Sequence, residues 1–299
     1  MNLLVTGAWK CTQEQLNELA QMGHKIIYIQ NETDALPCAY DEVEGVICNG
    51  LFLSHPIENF TSLRYIQLTS AGFDRVPLDY IQNQRIVIYN ARGVYSIPMA
   101  EFALGGVLQI YKQSRFFYKK QKNAIWEKHR GILELYKKNV CIVGCGNVGT
   151  ECAKRFQAFG CKVIGVDLFV RDDVAYEKIY PLSDLDQILR RADIVVLTLP
   201  LTNETRGMMN ECRFRVMKDG SVLVNIARGA IIDESALIEA LDGKLLGAVL
   251  DVFGEEPLSE NNSLWKLENV ILTPHSSFIS DGNGERLFNL IKINLEQAK

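Results

Sequence analysis

"NVCIVGCGNVGTECAKRFQAFGCKVIGVD", Asn139 to Asp167, decides how the chain is read. Its first residues are apolar at nearly every position, as in a strand covered on both faces. Gly144, Gly146 and Gly149 follow in G-x-G-x-x-G spacing and open a stretch with helical periodicity. A second strand-like run, "KVIGVD", then ends in Asp167. The glycine spacing alone is weak, but strand, glycine turn, helix and strand together give each part a physical task. Gly144 permits a tight turn, Gly146 lets backbone amides approach a pyrophosphate, and Gly149 allows helix and strand to pack closely. The helix N-terminus adds partial positive charge. Asp167 is expected to accept hydrogen bonds from ribose hydroxyls and to repel a 2′-phosphate, which favours NAD over NADP. Arg171 close by leaves NADP open.

The same alternation of β-branched runs and helical stretches extends outward in both directions. Before the motif come "NLLVTG", "KIIYIQ", "GVICN", "RYIQLTS" and "RIVIYN"; after it come "IVVLTLP", "SVLVNIA", "GAVLDV" and "VILTP". Such runs predict parallel sheets with helices on both faces. The fold class expected is α/β, with two Rossmann/flavodoxin-like parallel-sheet domains and the active site in the cleft between them. The first strand leads into "VTGAWK", without a glycine fingerprint, so the first domain should share the fold class without holding the dinucleotide.

Two interruptions set the boundaries. "ARGVYSIP" breaks the pattern near Gly93 to Pro98, and a long helix is expected from Met99 towards Lys122. After Pro274, "SSFISDGNGE" is polar and glycine-containing, and the final "RLFNLIKINLEQAK" has helical spacing suited to packing back on the first domain. Residues 1–95 plus 281–299 are therefore expected to form a substrate-binding domain, and 96–280 an NAD-binding domain.

The composition excludes several classes. With 299 residues, 47% hydrophobic and 23% charged, the chain can bury two cores and is neither disordered nor collagen-like. A net charge of -4 supplies no general basic field for nucleic acid or anionic membrane. No apolar stretch approaches a membrane span, and the start lacks signal-peptide features. Eight cysteines without a C-x-x-C pair read as reduced thiols, hence a cytoplasmic setting.

Three polar residues follow late strands, where open α/β sheets receive ligands. Arg228 comes after "VLVNIA", Glu256 after "AVLDVFGE", and His275 after "ILTP". Arginine offers a planar fork for a carboxylate. Histidine exchanges a proton near neutral pH, and a carboxylate beside it favours the imidazolium and fixes the ring. Taken singly, Arg228 reads as a surface ion pair, Glu256 as part of a solvated turn and His275 as an interior residue. Together they suit hydride transfer at a 2-keto or 2-hydroxy acid. The other histidines, His24, His55 and His129, form no local ligand cluster, so no metal is expected.

The chain resembles the D-isomer-specific 2-hydroxyacid dehydrogenase family in "GCGNVG…GVD", "LPLTNETRG", "MKDGSVLVNIARGAIIDE", "GAVLDVFGEEPL" and "WKLENVILTPH", in that order. The resemblance implies an NAD-dependent enzyme acting on small D-2-hydroxy acids or 2-keto acids. It implies that Arg228 binds the substrate carboxylate and that Glu256 pairs with His275 as acid/base. It places Asn147 and Val148 in the phosphate turn, and Leu199, Pro200, Ile226, Ala227, Arg228 and Asp251 along the cofactor, Asp251 towards the nicotinamide. "TSAGFDRV" resembles the family's substrate loop, which gives Ala71 and Gly72 amides for the carboxylate. "SIPMAEF" resembles the entry into its interdomain helix.

There are two departures. "SSFIS" follows His275 where many members have small, glycine-rich residues, and "ALDGKLLG" is a residue shorter than is common. The basic, aromatic stretch Lys112 to Arg130 admits an RNA reading or a packed helix face. The family uses this region in dimer contacts, so a homodimer through 99–130 is expected, with no nucleic acid or membrane partner. A different class of function also stands: an NAD(H)-sensing or corepressor-like protein on the same fold.

Overall fold

The structure is a computed structural model that describes residues 1–298. Contacts divide the chain into two units, one comprising Met1–Tyr95 and the stretch from Ser280, the other Ser96–Ile279.

The first unit is a five-stranded parallel sheet: β1 (Asn2–Thr6), β2 (Lys25–Ile29), β3 (Gly45–Cys48), β4 (Tyr65–Leu68) and β5 (Val87–Tyr89). Its order, β2-β1-β3-β4-β5, is flavodoxin-like. Alternate residues feed two cores. Leu4, Val46, Cys48 and Ile66 pack with Ile81 of helix α2 (Leu78–Asn83). Leu3, Val5, Ile47 and Tyr65 pack with Leu19 of α1 (Gln13–Gln21). The last helix of the chain, α9 (Asn283–Gln297), joins this second core through Leu287, Phe288, Ile291 and Leu295. Each such side chain contributes about 1.5–3 kcal/mol by burial. Trp9 stacks on Phe288 with ring centroids 5.7 Å apart.

The strand order of this sheet reverses between β1 and β3, where open α/β sheets accept ligands. Here the chain's own Glu32 is at that edge. Its Oε1 accepts from Thr6 Oγ1 (2.8 Å) and the Asn49 amide (2.6 Å), and Oε2 from the Gly50 amide (2.7 Å).

The second unit has seven parallel strands: β6 (Asn139–Val143), β7 (Lys162–Asp167), β8 (Lys178–Pro181), β9 (Ile194–Leu197), β10 (Val222–Asn225), β11 (Gly247–Leu250) and β12 (Val270–Leu272). The order β12-β11-β10-β9-β6-β7-β8 is doubly wound, reversing between β6 and β9. Period-two alternation is complete. Cys141, Val143, Val195, Leu197, Leu223 and Leu250 face one core, which also takes Leu185, Phe214 and Leu237 from α6 (Leu185–Leu189), α7 (Glu211–Val216) and α8 (Glu234–Leu241). Val140, Ile142, Val196, Val224 and Val249 face the other, against α3 (Ser96–Tyr111) and α5 (Asn147–Ala158). Gly106 lets α3 approach the sheet, since a Cβ there would lie 2.6 Å from Val249 Cγ1.

Two elements differ from the sequence reading. The long helix from Met99 to Lys122 is two helices, α3 and α4 (Ser114–Lys122). Gln113 adopts a left-handed conformation (φ 55°) and its amide and side chain both donate to Ile110 O, which ends α3. Strand β8 carried no clear signal, being a short edge strand that ends in proline.

Candidate active site

The glycine turn links β6 to α5. Gly144 has φ +97°, and a Cβ on it would lie 2.7 Å from the Leu199 amide nitrogen. A Cβ at Gly149 would lie 2.1 Å from Gly144 O, so the first turn of α5 rests directly on the glycine backbone. Gly146, by contrast, has nothing within 4 Å of its added Cβ. It faces open space at the N-cap of a twelve-residue helix. That combination suits a phosphate cradle: two glycines are fixed by packing, while the third keeps the approach clear. Asn147 and Val148 begin α5.

Asp167 ends β7 beside the turn. Its Oδ2 accepts from the Cys145 amide (2.5 Å) and Oδ1 from the Phe169 amide (3.0 Å). The Arg171 guanidinium donates to Cys145 O, so both charges named by the sequence adjoin the glycine turn. Leu199 and Pro200 follow β9, and Ile226 and Ala227 follow β10; only Pro200 of these four is exposed. The Cys145 thiol is pushed up to about 12 by burial. It therefore stays protonated at neutral pH and offers no nucleophile.

Arg228, Glu256 and His275 come from the carboxyl edges of three adjacent strands. Asn225 pairs with Leu250, and Leu250 with Leu272, so the ends of β10, β11 and β12 lie level. Neighbouring strands are about 4.8 Å apart. Beyond β10, Arg228 is exposed, and its Nη1 donates to Ala227 O (2.7 Å). The turn is braced by Asn225, fully buried: Oδ1 accepts from the Ala227 amide (3.1 Å) and Nδ2 donates to Arg228 O (3.0 Å).

Beyond β11, Glu256 folds back so that Oε1 accepts from the Phe253 amide (3.0 Å), while Oε2 meets His275 Nδ1 at 2.8 Å. The carboxylate at Nδ1 fixes the orientation of the ring and leaves Nε2 on its far side. The His275 backbone is left-handed, φ +49°, an uncommon state for a residue with a side chain. Its amide donates to Asp251 O at 2.8 Å. The fully buried Asp251 carboxylate holds the rest of the loop, accepting from Thr273 Oγ1 (2.6 Å) and from the amides of Ser276 (2.7 Å) and Ser277 (3.0 Å). The "SSFIS" departure thus begins with two amides that anchor the histidine loop, and Phe278 meets the His275 ring edge-on, centroids 6.0 Å apart.

Ala71 and Gly72 lie in the first unit, after β4. Asn90 Nδ2 donates to Ala71 O (2.7 Å) and Ser70 Oγ to Gly72 O (3.1 Å). Among the described residues no group of His, Cys, Asp or Glu is arranged to hold a metal.

Comparison with known proteins meets this geometry. Residues 104–277 match the model of "D-isomer specific 2-hydroxyacid dehydrogenase, NAD binding domain". The chain belongs to this family. The matched stretch falls inside the second unit and includes the glycine turn, Arg228, Glu256 and His275. A glyoxylate reductase of Thermofilum pendens is 35% identical over 78% of this chain and 71% of its own length. A D-3-phosphoglycerate dehydrogenase of Archaeoglobus fulgidus is 36% identical over 73% of this chain, but the match spans only 42% of that longer protein. Among solved structures, a D-isomer specific 2-hydroxyacid dehydrogenase family protein from Aeromonas salmonicida superposes with TM-score 0.83 at 28% identity, covering 99% of this chain and 94% of the other.

Sequence reasoning missed Asn225 and Thr198. Thr198 Oγ1 donates to Gly144 O (2.6 Å) and ties the end of β9 to the glycine turn. In both cases the available signal was a polar residue closing an apolar strand.

Proposed function

We propose that the chain is an NAD-dependent reductase of small 2-keto acids, forming D-2-hydroxy acids and running in reverse with NAD. The observation that carries this reading is the 2.8 Å contact between Glu256 Oε2 and His275 Nδ1 at the edge of a dinucleotide-type sheet. Bound NADH supplies the hydride that reaches the carbonyl carbon. Arg228 grips the carboxylate by two parallel hydrogen bonds and polarises the carbonyl. His275, protonated and oriented by Glu256, gives its Nε2 proton to the carbonyl oxygen as the hydroxyl forms. In the reverse direction the neutral ring takes that proton back. The Ala71–Gly72 turn is assigned a supporting part in carboxylate recognition.

NAD is favoured over NADP because the Asp167 carboxylate would repel a 2′-phosphate. The eight cysteines are unpaired, in keeping with a reduced, cytoplasmic setting. A homodimer through 99–130 is supported by the exposed apolar side chains Phe117, Tyr118, Ile125 and Trp126. Several bases of that segment are already engaged, Lys112 with Leu133 O and Arg115 with the carbonyls of Leu267 and Glu268, which speaks against an RNA surface.

The test is a panel of glyoxylate, hydroxypyruvate, pyruvate and branched keto acids, each with NADH and NADPH, followed by chiral analysis of the product. At least one acid should consume NADH faster than NADPH and give the D product. Arg228→Ala should lower kcat/KM at least about a hundredfold, the loss expected from two charge-assisted hydrogen bonds, and leave NADH affinity near its original value. NADH binding without turnover of any panel member would favour the sensor reading instead.

A further inference from the structure

The turn presenting Arg228 and the loop presenting Glu256 meet backbone to backbone. A Cβ added at Gly229 would lie 1.9 Å from the Phe253 carbonyl carbon, 2.1 Å from its oxygen and 2.4 Å from Gly254 N. All three of these atoms are backbone and cannot rotate aside. The Phe253 amide is the group that holds Glu256 Oε1, and Glu256 in turn holds His275. On the other flank, Asn225 fixes the same turn through the Ala227 amide and Arg228 O.

We propose that Asn225 and Gly229 are positioning residues that lock the Arg228 turn to the Phe253–Glu256 loop, so that anion clamp and proton donor are set as one rigid piece. The proposal rests on the reaction assigned above and divides the work. Asn225 governs only the Arg228 turn. Gly229 governs both partners, because a methyl group there pushes the Phe253 peptide and with it the carboxylate that orients His275. The charged groups bearing on His275 are Glu256 at its ring and Asp251, which holds its loop. Gly284 in α9 is a control, since its added Cβ meets nothing within 4 Å and it lies outside both loops.

The experiment uses the full chain and its Gly229→Ala, Asn225→Ala and Gly284→Ala variants. Two readouts are taken: keto-acid KM and kcat as a function of pH, and the NMR titration of the His275 imidazole without substrate. Both Gly229→Ala and Asn225→Ala should raise keto-acid KM roughly tenfold or more, since an ångström of misplacement costs about a hundredfold. Only Gly229→Ala should also displace the His275 titration and the pH profile of kcat. Gly284→Ala should leave both readouts as in the parent. An unmoved His275 titration in Gly229→Ala overturns the lock, as does an unchanged KM in Asn225→Ala. If Gly229→Ala does not fold, the Asn225→Ala result decides alone. If the parent reduces no keto acid, the reaction reading fails, and the His275 titration still judges the lock.

Discussion

His275 holds its ring on a left-handed backbone, a state that costs an L-residue about 1–2 kcal/mol. Four hydrogen bonds to Asp251, one through its carbonyl and three through its carboxylate, hold the loop in that state. Strain of this kind concentrates where a side chain must point in one direction. Glycine relieves it. His275→Gly is therefore expected to resist urea better than His275→Ala by about 1 kcal/mol, although neither retains the imidazole. Equal stabilities would show that the surrounding bonds, and not backbone conformation, set the cost. The carboxylate of Asp251 was placed along the cofactor by family resemblance; its three loop contacts could not be read from sequence, because they depend on where residues 273–277 fold. Glu256 was legible as an acid following a late strand, and family resemblance paired it with His275. Its second contact, with the Phe253 amide, follows from a turn whose shape no periodicity reports.

At the scale of elements, the glycine turn was the most legible part of the chain. Each glycine there answers a separate steric demand, and the three demands predict separable defects. Gly146→Ala adds a methyl in open space, so the fold should keep its stability while NADH affinity falls. Gly149→Ala puts a Cβ 2.1 Å from Gly144 O and should cost about 1–3 kcal/mol of stability as well as affinity. Urea denaturation with NADH fluorescence titration measures both; matching losses in the two variants would contradict the division. The strands buried on both faces were equally readable, since apolar residues at nearly every position leave few alternatives. Strand β8 and the break at Gln113 were not. One is short and lies at a sheet edge, and the other is set by a single residue's φ inside a continuous helical pattern.

Taken whole, the molecule comprises two parallel-sheet units with different strand orders, and only the second carries the glycine fingerprint. The first unit was legible as a fold but less so as a site, because the Ala71–Gly72 match is short and backbone amides leave no compositional trace. At the surface, Trp126 is fully exposed, with Ile125, Ile132 and Tyr136 also open to solvent. Apolar exposure on this scale is costly for an isolated chain. Sedimentation should find a dimer in the parent chain, and Trp126→Glu should weaken it at least about tenfold, the effect of losing one large interface anchor. A parent that sediments as a monomer at all concentrations would remove the dimer.

The imidazole beside Glu256 is proposed to deliver the proton that completes hydride transfer. A single-turnover measurement tests it most directly: NADH is bound to the parent chain and to His275→Ala, and the keto acid found active in the panel is then added. Both proteins should bind NADH with similar affinity, and the variant should oxidise it about a hundredfold to ten-thousandfold more slowly. Equal rates of oxidation in the two proteins would contradict it.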